Sequence, residues 1–101
     1  MKKLIFIGIF ILIATTSFAE KLPCSIIGRT AEAVMEARQS NVPMEKMIKV
    51  AEESDDLTAG NFIKALVIEA YDRPIYNTLE NQKKAVTNFK NQFLVECYKN
   101  E

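Results

Sequence analysis

A chain of 101 residues with 13 Lys and Arg against 13 Asp and Glu, no histidine and 49% apolar residues has room for one small domain. Its balanced charge offers no argument for nucleic acid, which would call for a basic stripe, and the lack of histidine removes the commonest general base and zinc ligand. With two cysteines, one intramolecular disulfide is the most that can form.

The first predicted element is an export signal. Lys2 and Lys3 precede the apolar run Leu4 to Ile13, and Ser17, Phe18 and Ala19 supply a small-x-small cleavage pattern. A membrane-spanning helix needs about 20 apolar residues, and this run stops well short before Thr15, Thr16 and Ser17 interrupt it. Cleavage after Ala19 leaves Glu20 at the new amino terminus of an 82-residue single helical domain, residues 20–101. Lys21, Leu22 and Pro23 ahead of Cys24 are unlike the small residues that precede a lipidated cysteine. Loss of Lys2 and Lys3 turns 13 basic against 13 acidic residues into 11 against 13, a net of −2. The expectation is a periplasmic or secreted protein with no stable membrane span after cleavage. A mature chain this short buries only about 60% of its unfolded surface and benefits from a covalent staple, which an oxidising destination permits.

The apolar positions Cys24, Ile27, Ala31, Val34 and Met35 recur at helical spacing and predict a helix from about Ser25 to Gln39. Arg29, Glu32 and Glu36 fall on its opposite, solvated face. The helix should stop near Ser40 and Asn41, and Pro43 suits the first turn of a second helix whose stripe is Met44, Met47, Ile48 and Ala51. That helix should fade in the acidic turn Glu52, Glu53, Ser54, Asp55, Asp56. From Phe62 to Tyr71 the chain is apolar nearly all round, which predicts a third helix packed on several sides and ended by Pro74. A buried strand is the alternative there, but a lone strand lacks a partner for its backbone.

Asn77 with Glu80, or Thr78, can cap a fourth helix. Its stripe is Gln82, Val86, Phe89, Phe93 and Cys97, with Lys83, Lys84 and Lys90 off it and solvated. Cys97 therefore lies on the buried side near one end of the last helix and Cys24 on the buried side at the start of the first. A Cys24–Cys97 disulfide would close a long loop and stabilise by about 4 kcal/mol in the chain-entropy view. A reactive or metal-binding thiol would call for a CxxC pair or a histidine, and neither is present. The predicted fold is all-α: a small four-helix bundle closed by one disulfide between its first and last helices.

No catalytic residues, cofactor site or metal site emerge. There is no glycine-rich phosphate loop among three glycines, and Glu52, Glu53, Asp55 and Asp56 lack the ligand alternation of a calcium loop, so they read as a solvated turn with helix-capping carboxylates. An enzyme is not expected. Binding is, and Tyr71, Arg73 and Tyr76, gathered around Pro74, are the candidate partner-binding residues, because tyrosine and arginine offer large contact area with a polar tip. The competing reading is structural: both tyrosines seal the open end of the bundle and Arg73 pairs with a carboxylate. Met35, Met44 and Met47 read as core filler rather than as an adaptable groove.

Cys24, VMEARQ (34–39), VPMEKM (42–47), EAYDRPIY (69–76) and NFKNQFLVECY (88–98) together resemble a group of short, largely uncharacterised exported proteins of Gram-negative bacteria and their phages. Where such relatives tend to carry a glycine after the Arg-Gln pair, this chain has Ser40 and Asn41. The resemblance implies an exported two-cysteine helical protein and carries over no activity. The expected function is that of a small protein-binding module, such as an inhibitor of an envelope or phage protein. Two alternatives stand beside it: an acid-stress periplasmic chaperone of HdeA-like architecture, and a structural envelope component that self-associates.

Overall fold

The computed structural model describes residues 22–101; the predicted leader and its cleavage site after Ala19 lie outside the described residues. Four helices follow in order: α1 (Cys24–Gln39), α2 (Met44–Glu52), α3 (Leu57–Tyr71) and α4 (Leu79–Lys99). No strand occurs among the described residues, and the predicted bundle, with Cys24 and Cys97 bonded to each other, is the fold.

Helix α1 begins at Cys24, because the Pro23 carbonyl already accepts from the Ile26 and Ile27 amides at 3.0 and 3.1 Å. It buries Cys24, Gly28, Ala31, Val34, Met35 and Gln39, one stripe at three- and four-residue steps. Its end is a Schellman turn: the Val42 amide donates to the Ala37 carbonyl and the Asn41 amide to the Arg38 carbonyl, both at 3.0 Å. Asn41 takes φ 63°, the left-handed conformation that asparagine tolerates better than other non-glycine residues, so it fills the role a glycine has in such turns.

Pro43 stands just ahead of α2 rather than in its first turn, with ψ 138°, since the chain must leave the Asn41 turn extended before it coils. Helix α2 buries Ala51 and packs Met47 and Ile48 against the core. Met44 is not core filler: although it shares a face with Ile48 and Ala51, it is 39% exposed, because it is the first residue of the helix and lies at the end of that stripe. Met35 is fully buried.

Helix α3 starts five residues before the predicted Phe62. The Asp56 carboxylate accepts from the Thr58 amide at 2.9 Å and the Ala59 amide at 3.4 Å, so a strong N-cap carries the weak helix formers Gly60 and Asn61 into the helix. The buried face of α3 is Gly60, Leu66, Val67 and Ala70. Ile68 is 51% and Leu57 77% exposed, which corrects the expectation of a helix enclosed on several sides. The reason lies in the packing order: α2 lies on α3, α3 and α4 both pack on α1, and the outer face of α3 has no neighbour among the described residues.

Helix α4 is capped by Thr78, whose hydroxyl accepts from the Asn81 amide at 3.2 Å. Phe89 is fully buried and meets Phe93 edge-on at 4.9 Å. Phe89, Met35, Leu66 and Val67 are the largest fully buried side chains, so the core forms where α1, α3 and α4 converge. Lys90 and Glu32 are not both turned to solvent as expected. They are half-buried and pair across α1 and α4 at 3.2 Å, because the antiparallel register brings the flanks of the two stripes together. The disulfide joins the first turn of α1 to the last turns of α4 with a Cα–Cα separation of 5.7 Å.

Candidate functional site

The segment from Tyr71 to Leu79 turns the chain from α3 into α4. Its geometry begins with two side chains at the end of α1. Arg38 Nε donates to the Arg73 carbonyl at 2.8 Å. Gln39 holds the next stretch with both ends of its amide: Nε2 donates to the Pro74 carbonyl at 2.9 Å, and Oε1 accepts from the Tyr76 amide at 3.0 Å. From the other side, Gln82 Nε2 donates to the Tyr76 carbonyl at 2.8 Å. Three carbonyls and one amide of this connection are thereby satisfied by side chains, and Pro74 fixes its own φ.

The three predicted binding residues divide between inside and outside. The Tyr71 hydroxyl donates to the Val42 carbonyl at 2.6 Å, and the Arg38 guanidinium lies 5.1 Å over its ring. Burial raises the Tyr71 hydroxyl above its ordinary value, and the positive charge of Arg38 acts in the opposite direction. Arg73 donates to Gln92 Oε1 at 2.9 Å, sits 3.7 Å from Glu69 and stacks 5.0 Å over the Phe89 ring. Both are engaged within the bundle, as the structural reading of them expected. Tyr76 differs, with its backbone held and 40% of its surface exposed.

The sequence reading missed the residues that shape this corner. Gln39 is the single buried polar side chain among the described residues, and Gln82 was legible only as a member of the α4 stripe. In both cases the usable signal was an amide at an apolar register, since a polar side chain on a buried face needs a specific partner. Ile75 and Leu79, 37% and 67% exposed, flank Tyr76. Beside them a shallow groove of about 530 Å³ runs between α1 and α4, bordered by Glu36, Ser40, Leu79, Lys83 and Val86. The corner thus combines apolar side chains that face water with a backbone already held in one conformation, and such surfaces bind without a large ordering cost.

The acidic turn is occupied with local tasks. Asp56 caps α3, and Glu52 lies 3.8 Å from Lys64. No group of three or more side chains among the described residues could hold a metal ion, and no helix among them is long and apolar enough to cross a membrane. No protein-family model matches the chain, and neither a curated protein nor a solved structure matches it.

Proposed function

We propose that the chain is exported, loses residues 1–19, and works in the periplasm or outside the cell as a non-catalytic protein-binding module. The inhibitor-like form of that reading, one partner gripped by one rigid face, is preferred. The observation that carries it is the Gln39 clamp, which fixes the backbone at Pro74 and Tyr76 while Ile75, Tyr76 and Leu79 remain exposed. Ordered aromatic and aliphatic side chains at a water-facing corner are the kind of anchor that dominates binding between proteins. Export is supported by the composition of residues 1–19 and by the disulfide, which is a bond of oxidising compartments. Absence of catalysis is supported by a sequence without histidine and by a corner whose polar groups are used in holding the backbone.

The test uses the disulfide-bonded protein, immobilised and exposed to periplasmic extract beside a Tyr76→Ala/Leu79→Ala variant of matched thermal stability. One protein retained in one-to-one ratio by the native chain and lost with the variant supports the reading. Equal retention by both moves the site away from this corner. If no protein is retained, and acid instead exposes apolar surface to a reporter dye and protects many unfolded clients, the chaperone replaces the inhibitor. Self-association with neither behaviour points to the envelope component. The intact mass of the cellular protein, starting at Glu20 or at Met1, decides export separately.

A further inference from the structure

Burial is unevenly spread along the α1–α4 pair. Ala31, Val34 and Met35 of α1 and Ala85 and Phe89 of α4 meet Leu66, Val67 and Ala70 of α3 in one buried cluster. At the opposite end no third helix packs among the described residues. There Pro23, Ser25 and Ile26 are exposed on one side, and Val95, Glu96, Tyr98, Lys99 and Asn100 on the other. The last packing step is the close approach of Leu94 to Gly28, where a Cβ would stand 2.7 Å from Leu94 Cδ2. Among the described residues, no hydrogen bond or ion pair joins α1 to α4 between the Lys90–Glu32 pair and the disulfide.

We infer that the Cys24–Cys97 bond is a redox-sensitive clasp for this end of the molecule: a dithiol reductant that opens it releases the first turn of α1 and the last two turns of α4, while the cluster around Phe89 stays folded. Of the two sulfurs, that of Cys97 is the one to attack, since Cys97 is half-exposed and Cys24 is buried. The reductant's thiolate bonds to Cys97 Sγ as the Sγ–Sγ bond breaks, and Cys24 leaves as a thiolate that takes a proton. The reductant's second thiolate then displaces Cys97, which is protonated in turn. Two electrons and two protons enter the protein, and the reductant departs as its own disulfide.

The reason for local rather than global release is where the remaining contacts lie. The Schellman turn at Asn41, the Gln39 clamp and the Thr78 cap all belong to the end that holds the core, and none depends on the first turn of α1. Segments with few buried contacts open at lower free energy than the core they flank. Opening would uncover Ile27 and Leu94, which are half-buried in the oxidised form, and would leave Phe93 on the core cluster and the corner at Tyr76 unchanged. The inference therefore stands or falls independently of the proposed binding role.

Hydrogen exchange followed by mass spectrometry tests it on the same chain in three states: oxidised, reduced with dithiothreitol, and as a Cys24→Ser/Cys97→Ser variant. In the last two states, peptides covering 23–28 and 95–101 are expected to exchange at the rate of unstructured chain. Peptides covering 31–39, 62–71 and 82–90 should stay protected about a hundredfold or more over unstructured chain. Loss of protection throughout the reduced protein would overturn the clasp and make the bond a staple for the whole fold. Unchanged protection at both ends would overturn it in the other direction.

Discussion

Gln39 and Tyr76 are 37 residues apart in sequence and joined at 3.0 Å, the buried side-chain oxygen of one accepting from the backbone amide of the other. The same side chain donates to the Pro74 carbonyl at 2.9 Å, so one amide supplies both a donor and an acceptor to a connection with no regular secondary structure. Replacing Gln39 by leucine keeps much of the volume and leaves two backbone groups without partners. Each such loss costs about 1–3 kcal/mol where water cannot substitute. Gln39→Leu is expected to lower stability by about 2 kcal/mol in urea denaturation. Gln39→Glu should cost more, because a carboxylate facing the Pro74 carbonyl has no proton to donate at neutral pH. Leucine tolerated at native stability would mean that the clamp contributes nothing to holding the corner.

The two glycines among the described helices make a ranked pair. At Gly60 a Cβ would lie 2.7 Å from the Ala51 backbone oxygen, and at Gly28 it would lie 2.7 Å from Leu94 Cδ2. The distances are equal and the neighbours are not. A leucine tip can rotate aside, whereas a helix backbone moves only with the whole of α2. Alanine gains about 1 kcal/mol over glycine from helix propensity, and forced packing costs about 1–3 kcal/mol. Gly60→Ala is therefore expected to lower the melting temperature clearly, and Gly28→Ala to leave it nearly unchanged. The reverse order would show that the α1–α4 contact, not the α2–α3 contact, is the tighter one.

Helix periods and the disulfide were legible because they are repeated or chemically unique signals. Cys24 and Cys97 both fall on buried stripes, and no other cysteine competes for either. What sequence alone could not rank was a local cap against a run of poor helix formers: Asp56 with two amides outweighs Gly60 and Asn61, and α3 begins early. Nor does a stripe report how many neighbours a helix has. The apolar run from Phe62 to Tyr71 was compatible with enclosure on all sides, yet Ile68 is left half-exposed because the neighbours of α3 cover only the face of Leu66, Val67 and Ala70. The corner at Tyr76 was visible as a cluster of binding-type residues, but the split between Tyr71 and Arg73 inside and Tyr76 outside depends on contacts with Val42, Gln92 and Gln39 that no local pattern encodes.

Tyr71 supplies a pH-dependent test of the same region. Its hydroxyl donates to the Val42 carbonyl at 2.6 Å, a bond that exists only while the proton is present. Burial raises its pKa above the ordinary 10.0 despite the nearby Arg38. The unfolded chain therefore releases this proton at lower pH than the folded one. Between the two values the unfolded state binds fewer protons, so stability falls as pH rises. The contribution is complete below about pH 10 and is lost as pH climbs through the folded-state value. Tyr71→Phe removes both the hydrogen bond and the titration. At neutral pH the variant is expected to be about 1 kcal/mol less stable. Lysine deprotonation affects both proteins alike, so the difference between their urea midpoints isolates Tyr71. That difference should stay constant up to about pH 10 and shrink as pH climbs above it, through the folded-state value. A constant offset across that range would mean that the hydroxyl titrates in the fold as it does in the open chain, and that its bond to Val42, which needs the proton, carries none of the offset.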